Sequence, residues 1–180
     1  MKALKWILLS IVSIIAVLLF IAVFVEKEYS VEREIVINKP TQTVYDYVVL
    51  LKNQNNYSKW ASTDPNMEKT YQGVDGTVGF VSAWKSEDKN VGVGEQEITK
   101  IDAGKRIEYE LRFTKPMEDK NMAYMTVDSI SENQTKVKWG FNGRMSYPSN
   151  LMLLFLNFDK MLGGDFEYGL SQLKSILENE

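Results

Sequence analysis

The sequence predicts an α+β domain that follows one apolar N-terminal helix. A run of apolar residues extends from Trp6 to Val25, interrupted only by Ser10 and Ser13. From Tyr29 onward, the chain shows an unbroken series of segments with the alternation typical of β-strands. A helical pattern closes the chain. Because helices at both ends of one antiparallel series must bury their apolar faces, we expect them to pack on the same side of a curved sheet.

The apolar N-terminal segment is long enough to cross a bilayer. At about 1.5 Å per residue, a helix over residues 6–25 spans roughly 30 Å, the thickness of the hydrocarbon core. Lys2 and Lys5 precede it, so the positive-inside rule predicts a single-pass membrane protein with a cytoplasmic N-terminus and an extracytoplasmic domain. A cleaved signal peptide is the alternative, but its apolar region is usually about 7–15 residues long. We therefore expect an uncleaved anchor over residues 1–28 and a folded domain over residues 29–180.

Composition excludes several classes of function. The chain contains no Cys and no His, which removes disulfides, thiolate nucleophiles and the commonest general base and metal ligand. We therefore expect no metal site, no cofactor and no catalytic residue, and favour a role without catalysis. The net charge is −3 with scattered Lys, so the domain has no electrostatic reason to bind nucleic acid.

One strand and one helix begin the domain. Residues 29–37 alternate between apolar and polar side chains, as expected for a half-buried strand. Pro40 suits the first turn of a helix, and Val44, Val48 and Leu51 follow with the spacing of one helix face. An Asn-rich stretch is expected to end this helix.

Further strands are predicted between turn signals rich in Gly, Asn, Asp or Pro. They lie at residues 67–72, 77–85, 91–101, 105–114, 121–130 and 135–143. The clearest is the segment Arg106–Phe113, in which one face is wholly apolar and the other wholly charged. In the strand at 121–130, the inward face stays undecided.

The last part of the chain has two kinds of helical pattern. Leu151 to Leu162 is apolar on nearly every face, whereas the segment from Phe166 to Leu177 is amphipathic. Gly163-Gly164 between them is expected to break or kink the helix. The apolar part is either buried between sheet and loops, the interpretation favoured here, or forms a lid that dips into the bilayer beside the anchor.

Seven segments of the domain form an ordered set of short motifs. They are Ile37–Val44 (INKPTQTV), Tyr57–Pro65 (YSKWASTDP), Gly73, Gly76 and Gly79 before Trp84, Gly92-Val93-Gly94, Arg106–Pro116 (RIEYELRFTKP), Thr135 to Trp139, and Gly164–Leu177 (GDFEYGLSQLKSIL). In this order they resemble the helix-grip fold of the SRPBCC superfamily, which includes START domains, pollen-allergen-like proteins and polyketide cyclases. More narrowly, the chain looks like the polyketide cyclase/dehydrase and lipid-transport family over about residues 30–180.

The resemblance implies a curved antiparallel sheet of six to seven strands wrapped around a long C-terminal helix, with a cavity for a lipid or other hydrophobic molecule between them. The candidate ligand-binding residues are the aromatic and aliphatic side chains expected to face this cavity. They are Trp60, Phe80, Trp84, Ile98, Tyr109, Leu111, Phe113, Trp139, Phe141, Leu154 and Phe158. The same side chains can instead fill a solid core, and the sequence leaves both interpretations open.

Three functions remain compatible with these observations. The first is a membrane-anchored module that binds a hydrophobic molecule. The second is a polyketide cyclase-like enzyme in which Tyr109, Tyr124 or a carboxylate moves a proton. The third is a stress or interaction protein with an unknown protein partner. Glu95 and Glu97 share one strand face, which favours a solvated outer surface over paired acid–base chemistry.

Overall fold

The computed structural model describes residues 2–179 and has five α-helices and seven strands within that range. The helices are α1 (Lys2–Phe24), α2 (Thr41–Val48), α3 (Gln54–Tyr57), α4 (Lys59–Thr63) and α5 (Phe158–Asn179). Two 3-10 helices, η1 (Leu51–Asn53) and η2 (Ser149–Leu154), lie between them. The strands are β1 (Glu28–Ile37), β2 (Glu68–Gln72), β3 (Val81–Lys85), β4 (Val93–Asp102), β5 (Arg106–Lys115), β6 (Asp119–Ser131) and β7 (Gln134–Arg144).

All seven strands form one antiparallel sheet with the order β1-β7-β6-β5-β4-β3-β2. The curved sheet wraps around α5, so the predicted helix-grip α+β fold is confirmed. The core lies on the concave side, where inward side chains of the strands meet α2 and the Phe166–Leu177 face of α5. Burial of this apolar surface is the main stabilising contribution to such a domain.

The register of the sheet places particular strand ends together. Glu28 pairs with Arg144, Phe113 with Asp119, and Lys85 with Val93. The β3–β4 and β5–β6 connections therefore lie at the end of the sheet where the chain enters from α1 and leaves towards η2. We call this the α1 end of the sheet.

The β6 strand resolves the face that the sequence left undecided. Asn121, Ala123, Met125 and Val127 are buried and point inward. The predicted strand at 77–85 is shorter than expected, because Gly76 and Gly79 adopt positive φ values of 77° and 88° in a turn. Strand β3 begins only at Val81, and Val78, within the predicted strand, is exposed.

The C-terminal segment differs from the prediction in two ways. The apolar stretch from Leu151 is not one buried helix, because η2 ends at Leu154 and most of the following side chains are exposed. Helix α5 begins at Phe158 and runs through Gly163-Gly164 without a break. A Cβ on Gly163 would lie 2.1 Å from Nη2 of Arg33, so this glycine provides space for a side chain from β1.

Arg33 fastens β1 to the start of α5. Its guanidinium donates to Asp159 Oδ1 at 2.8 Å and to Glu167 Oε1 at 2.6 Å. These two carboxylates raise the pKa of the Arg33 guanidinium above its ordinary value. The contact fixes the first turns of α5 against the sheet and so positions one wall of the cavity between α5 and the sheet.

Helix α1 stands outside the domain. Within Ala3–Phe24, an 18-residue stretch has a mean hydropathy of 3.2, and nearly all the side chains of the helix are exposed. By length and composition this helix can cross a membrane, a property that an N-terminal signal sequence shares.

Candidate functional site

An apolar cavity of about 340 Å³ lies between the concave face of the sheet and the first half of α5. Lys115, Pro116 and Asp119, at the β5–β6 connection, line the cavity and are exposed, so its mouth opens at the α1 end of the sheet. Helix α4 closes one side with Trp60 and Ala61. The space is within the size range of small-molecule sites, about 300–1,000 Å³, and near its lower limit.

Aromatic side chains form much of the cavity wall. The structure brings seven of the predicted ligand-binding residues to this wall: Trp60, Trp84, Leu111, Phe113, Trp139, Phe141 and Phe158. Their rings support one another, with Trp84 and Phe113 edge to face at 5.8 Å and Trp60 edge to face with Trp139 at 6.3 Å between centroids. Such packing holds large apolar surfaces in fixed positions around an open space.

Four predicted residues do not line the cavity. Phe80, Ile98 and Tyr109 are fully buried in the solid core, nearer the other end of the sheet. Burial raises the pKa of the Tyr109 hydroxyl above its ordinary value. Leu154 lies outside the domain interior, 56% exposed, in a groove beside α1. These four residues lie away from the cavity, because the core fills one end of the sheet and leaves the other hollow. A ligand-binding role stays a prediction for the seven that line it.

Other cavity residues escaped the sequence prediction. Phe166 was assigned only to a packed helix face, and it stacks on Trp139 at 4.9 Å while lining the cavity. Ala123 lies on β6, whose inward face the pattern did not resolve. Tyr29 is the second residue of β1 and also lines the cavity. Alternation could have suggested Ala123, but no signal distinguishes a cavity position from a core position on the same face.

A few polar side chains reach the cavity. The Nε2 atom of Gln54 is buried and has no hydrogen-bond partner within residues 2–179. Gln96 and Ser82 also line the wall. Asn121 is held in place by a bond from its Nδ2 to Asp119 Oδ2 at 2.8 Å. These groups can orient one polar group of a mostly apolar ligand.

The side chains suggested for proton transfer lie elsewhere. Tyr124 is on the convex face of the sheet, where its hydroxyl donates to Glu32 at 2.5 Å. That bond lowers the pKa of Glu32, and burial, followed by the bond itself, raises the pKa of Tyr124. Glu95 and Glu97 pair with Arg112 on the same convex face, as the sequence favoured. Neither pair is in contact with the cavity.

The charges around the cavity mouth are mostly positive. Lys69, Lys89 and Lys115 line the opening, and within residues 2–179 none of them forms an ion pair with a carboxylate. Asp119 is the acidic side chain among the lining residues. Among the described residues, no cluster of three Asp or Glu side chains is arranged to hold a metal ion.

Comparison with protein families matches residues 28–178 to the family described as polyketide cyclase / dehydrase and lipid transport. Comparison with curated proteins gave no match.

Similar solved structures support the same fold. A crystal structure of a protein from Chromobacterium violaceum has a TM-score of 0.58 at 13% identity, covering 83% of this chain and 96% of that chain. The crystal structure of Ara h 8.0201 has a TM-score of 0.55 at 12% identity, covering 85% and 99%. DynU16, a protein of the dynemicin biosynthetic locus, has a TM-score of 0.56 at 11% identity, covering 83% and 47%. At these identities the likeness shows the fold alone.

Proposed function

This chain belongs to the polyketide cyclase / dehydrase and lipid transport family, and on that premise we propose that it is a membrane-anchored module that holds a lipid or another hydrophobic molecule in its cavity. The observation that carries the proposal is the apolar space of about 340 Å³ walled by aromatic side chains. Removing about 300 Å² of ligand surface from water at about 25 cal/mol per Å² gives about 7 kcal/mol of gross binding energy. Costs of association reduce this figure, so affinity depends on how well the ligand fits.

The dimensions of the cavity favour a ligand with one slim apolar part. A volume near the lower limit for small-molecule sites suits a single acyl chain or a compact ring system better than a complete two-chain lipid. The lysines at the mouth suit a polar or acidic head group on the same molecule.

Helix α1 is proposed to anchor the domain. Its 22 residues from Ala3 to Phe24 are long enough to cross a bilayer, and their side chains have almost no protein partner in the described chain. With Lys2 and Lys5 on the cytoplasmic side, the domain lies on the opposite side of the membrane.

The ligand is tested by purifying the full chain in detergent, extracting it with organic solvent and analysing the extract by mass spectrometry. We expect one apolar molecule, or a narrow class of them, in near-stoichiometric amount. The matched control is Ala123→Leu, which narrows the cavity from β6 and should reduce the amount recovered. Equal recovery from both proteins would show that the molecule is bound elsewhere, and the proposal would fail.

The anchor is tested by extracting membranes with alkaline carbonate. An α1 that spans the bilayer keeps the chain in the membrane pellet, and protease added to intact cells or spheroplasts then digests the domain. Release of the chain into the supernatant would contradict the anchor.

A further inference from the structure

An exposed apolar surface extends from η2 to the first turn of α5. Its most exposed side chain is Phe155, at 78%, and Leu154 and Met161 are 56% and 57% exposed. We call the set the apolar lip; its members are Met152, Leu154, Phe155, Leu156 and Met161. Such a cluster of large apolar side chains on one surface is unusual for a domain surrounded only by water.

The apolar lip is fixed to the end of α1 by a buried side chain. Asn150 has 0% exposure, and its Nδ2 donates to the carbonyl oxygens of Ala22 at 2.7 Å and Val25 at 3.0 Å. Ala22 is itself fully buried, in a helix whose other side chains are almost all exposed. The backbone N–H of Met145 also donates to the carbonyl of Lys27 at 2.7 Å. The lip therefore keeps a defined position relative to the last turn of α1.

This position sets the depth of the lip in a membrane. Ala22 lies two residues inside the end of the apolar helix, so the η2 segment packed on it lies roughly 3 Å from that end along the axis. A groove connects the two elements and is lined by Phe20 and Phe24 of α1 and by Leu154 and Phe155 of the lip. If α1 spans the bilayer, the lip is at the depth where acyl chains meet head groups, and contact with lipid buries it.

The same groove adjoins the internal cavity through one pair of rings. Tyr29 and Phe158 line both spaces, and their ring centroids are 4.6 Å apart. Tyr29 is half-buried. This burial, together with the nearby Asp119, raises the pKa of its hydroxyl to about 12. Phe158 is the first residue of α5 and follows the exposed link from η2. The two rings therefore stand between the groove and the cavity.

We infer that the apolar lip inserts into the bilayer beside α1, and that the Tyr29–Phe158 pair is the passage through which an acyl chain moves between the membrane and the cavity. The inference rests on the proposed anchor. It names the source of the ligand as the bilayer in which α1 stands. No soluble donor is then needed, because the ligand never crosses water.

Insertion is tested in the full chain, which contains no cysteine, so single cysteines can be labelled with an environment-sensitive dye. Three variants are reconstituted in vesicles of phosphatidylcholine and phosphatidylglycerol with spin-labelled lipid as quencher. Phe155→Cys reports on the lip, Val17→Cys on α1, and Glu132→Cys on the β6–β7 turn at the opposite end of the sheet. We expect quenching at the first two sites and none at the third.

The pattern of quenching separates the two proposals. If neither Val17→Cys nor Phe155→Cys is quenched, the anchor and the insertion of the lip are both overturned. Quenching at Val17→Cys alone overturns only the lip and leaves the anchored binding module intact. Quenching at Glu132→Cys as well would mean that the whole domain lies on the membrane, which also contradicts a specific lip.

The passage is tested by the rate at which a fluorescent fatty acid moves from vesicles into the reconstituted protein. Phe158→Ala removes the ring shared by groove and cavity and should accelerate transfer several-fold. Phe113→Ala, the control, removes a ring from the cavity wall only and should weaken binding without accelerating entry. Equal entry rates in the two variants would overturn the passage.

Discussion

Filling the cavity from its β6 wall gives a quantitative test of the hollow interior. Ala123 is 5% exposed on β6 and lies between Tyr109 of β5 and Phe141 of β7 in the sheet. Its methyl group faces the cavity. Ala123→Leu adds three carbon atoms to this wall and changes no polar group.

The structure predicts effects of opposite sign on stability and on binding. Burying three carbon groups at about 0.8 kcal/mol each contributes about 2.4 kcal/mol, from which ordering of the Leu side chain removes about 0.5–1 kcal/mol. The free energy of unfolding of the ligand-free protein should therefore rise by about 1–2 kcal/mol. A ligand excluded from the same volume loses a similar 2.4 kcal/mol, which weakens its Kd about 50-fold.

Two measurements check these values in the delipidated full chain in detergent. Urea unfolding followed by circular dichroism gives the change in stability, and titration with a fluorescent fatty acid gives the Kd. Ala103→Leu adds the same atoms at an exposed position in the β4–β5 turn and should change neither quantity. Destabilisation by Ala123→Leu together with an unchanged Kd would show that the space is closed in solution and is not the ligand site.

Three further predictions concern the elements around the cavity. Asn150→Ala leaves the carbonyls of Ala22 and Val25 without their donor. It should lower the free energy of unfolding by about 1–3 kcal/mol in denaturant titrations. An unchanged free energy of unfolding would show that Asn150 does not hold η2 against α1. Gly163→Ala should displace the Arg33 guanidinium and lower the melting temperature. Gly164→Ala, with nothing within 4 Å of its new methyl group, should instead stabilise α5 by about 0.5–1 kcal/mol. Stability changes of the same sign in both variants would contradict the packing of Arg33 against Gly163. Burial raises the pKa of Tyr29 from 10.0 to about 12, so the hydroxyl ionises first in the unfolded state, and the free energy of unfolding should fall as the pH rises from 10 to 12. Tyr29→Phe should reduce this dependence when unfolding is measured against pH. An unchanged dependence would refute the burial of the Tyr29 hydroxyl.

Much of the fold follows from patterns that are local in the sequence. The alternation over Arg106–Phe113 reflects one buried and one solvated face, so it identifies a strand before its partners are known. The continuous apolar stretch before Val25 identifies α1 in the same way. The prediction of a helix break at Gly163-Gly164 is wrong. Gly163 is required because a Cβ there would occupy the space of the Arg33 side chain, and Arg33 comes from a strand distant in sequence.

The candidate site was only partly accessible to the same reasoning. Tyr109 and Leu111 are two residues apart on one face of β5, yet Tyr109 belongs to the solid core and Leu111 to the cavity wall. The difference depends on where α4 and α5 approach the sheet, which no periodicity encodes. Likewise, the apolar pattern after Leu151 predicted burial without revealing that the surface left exposed would adjoin the end of α1.

The sequence by itself determined the elements of this protein, since hydrophobic periodicity is a property of neighbouring residues. It also determined the apolar N-terminal helix and the absence of Cys and His chemistry. Only the tertiary structure decided that one end of the sheet is filled and the other hollow, and that Asn150 fixes the apolar lip beside α1. Hollow space and exposed surface are relations between distant segments, and they exist only once those segments have packed.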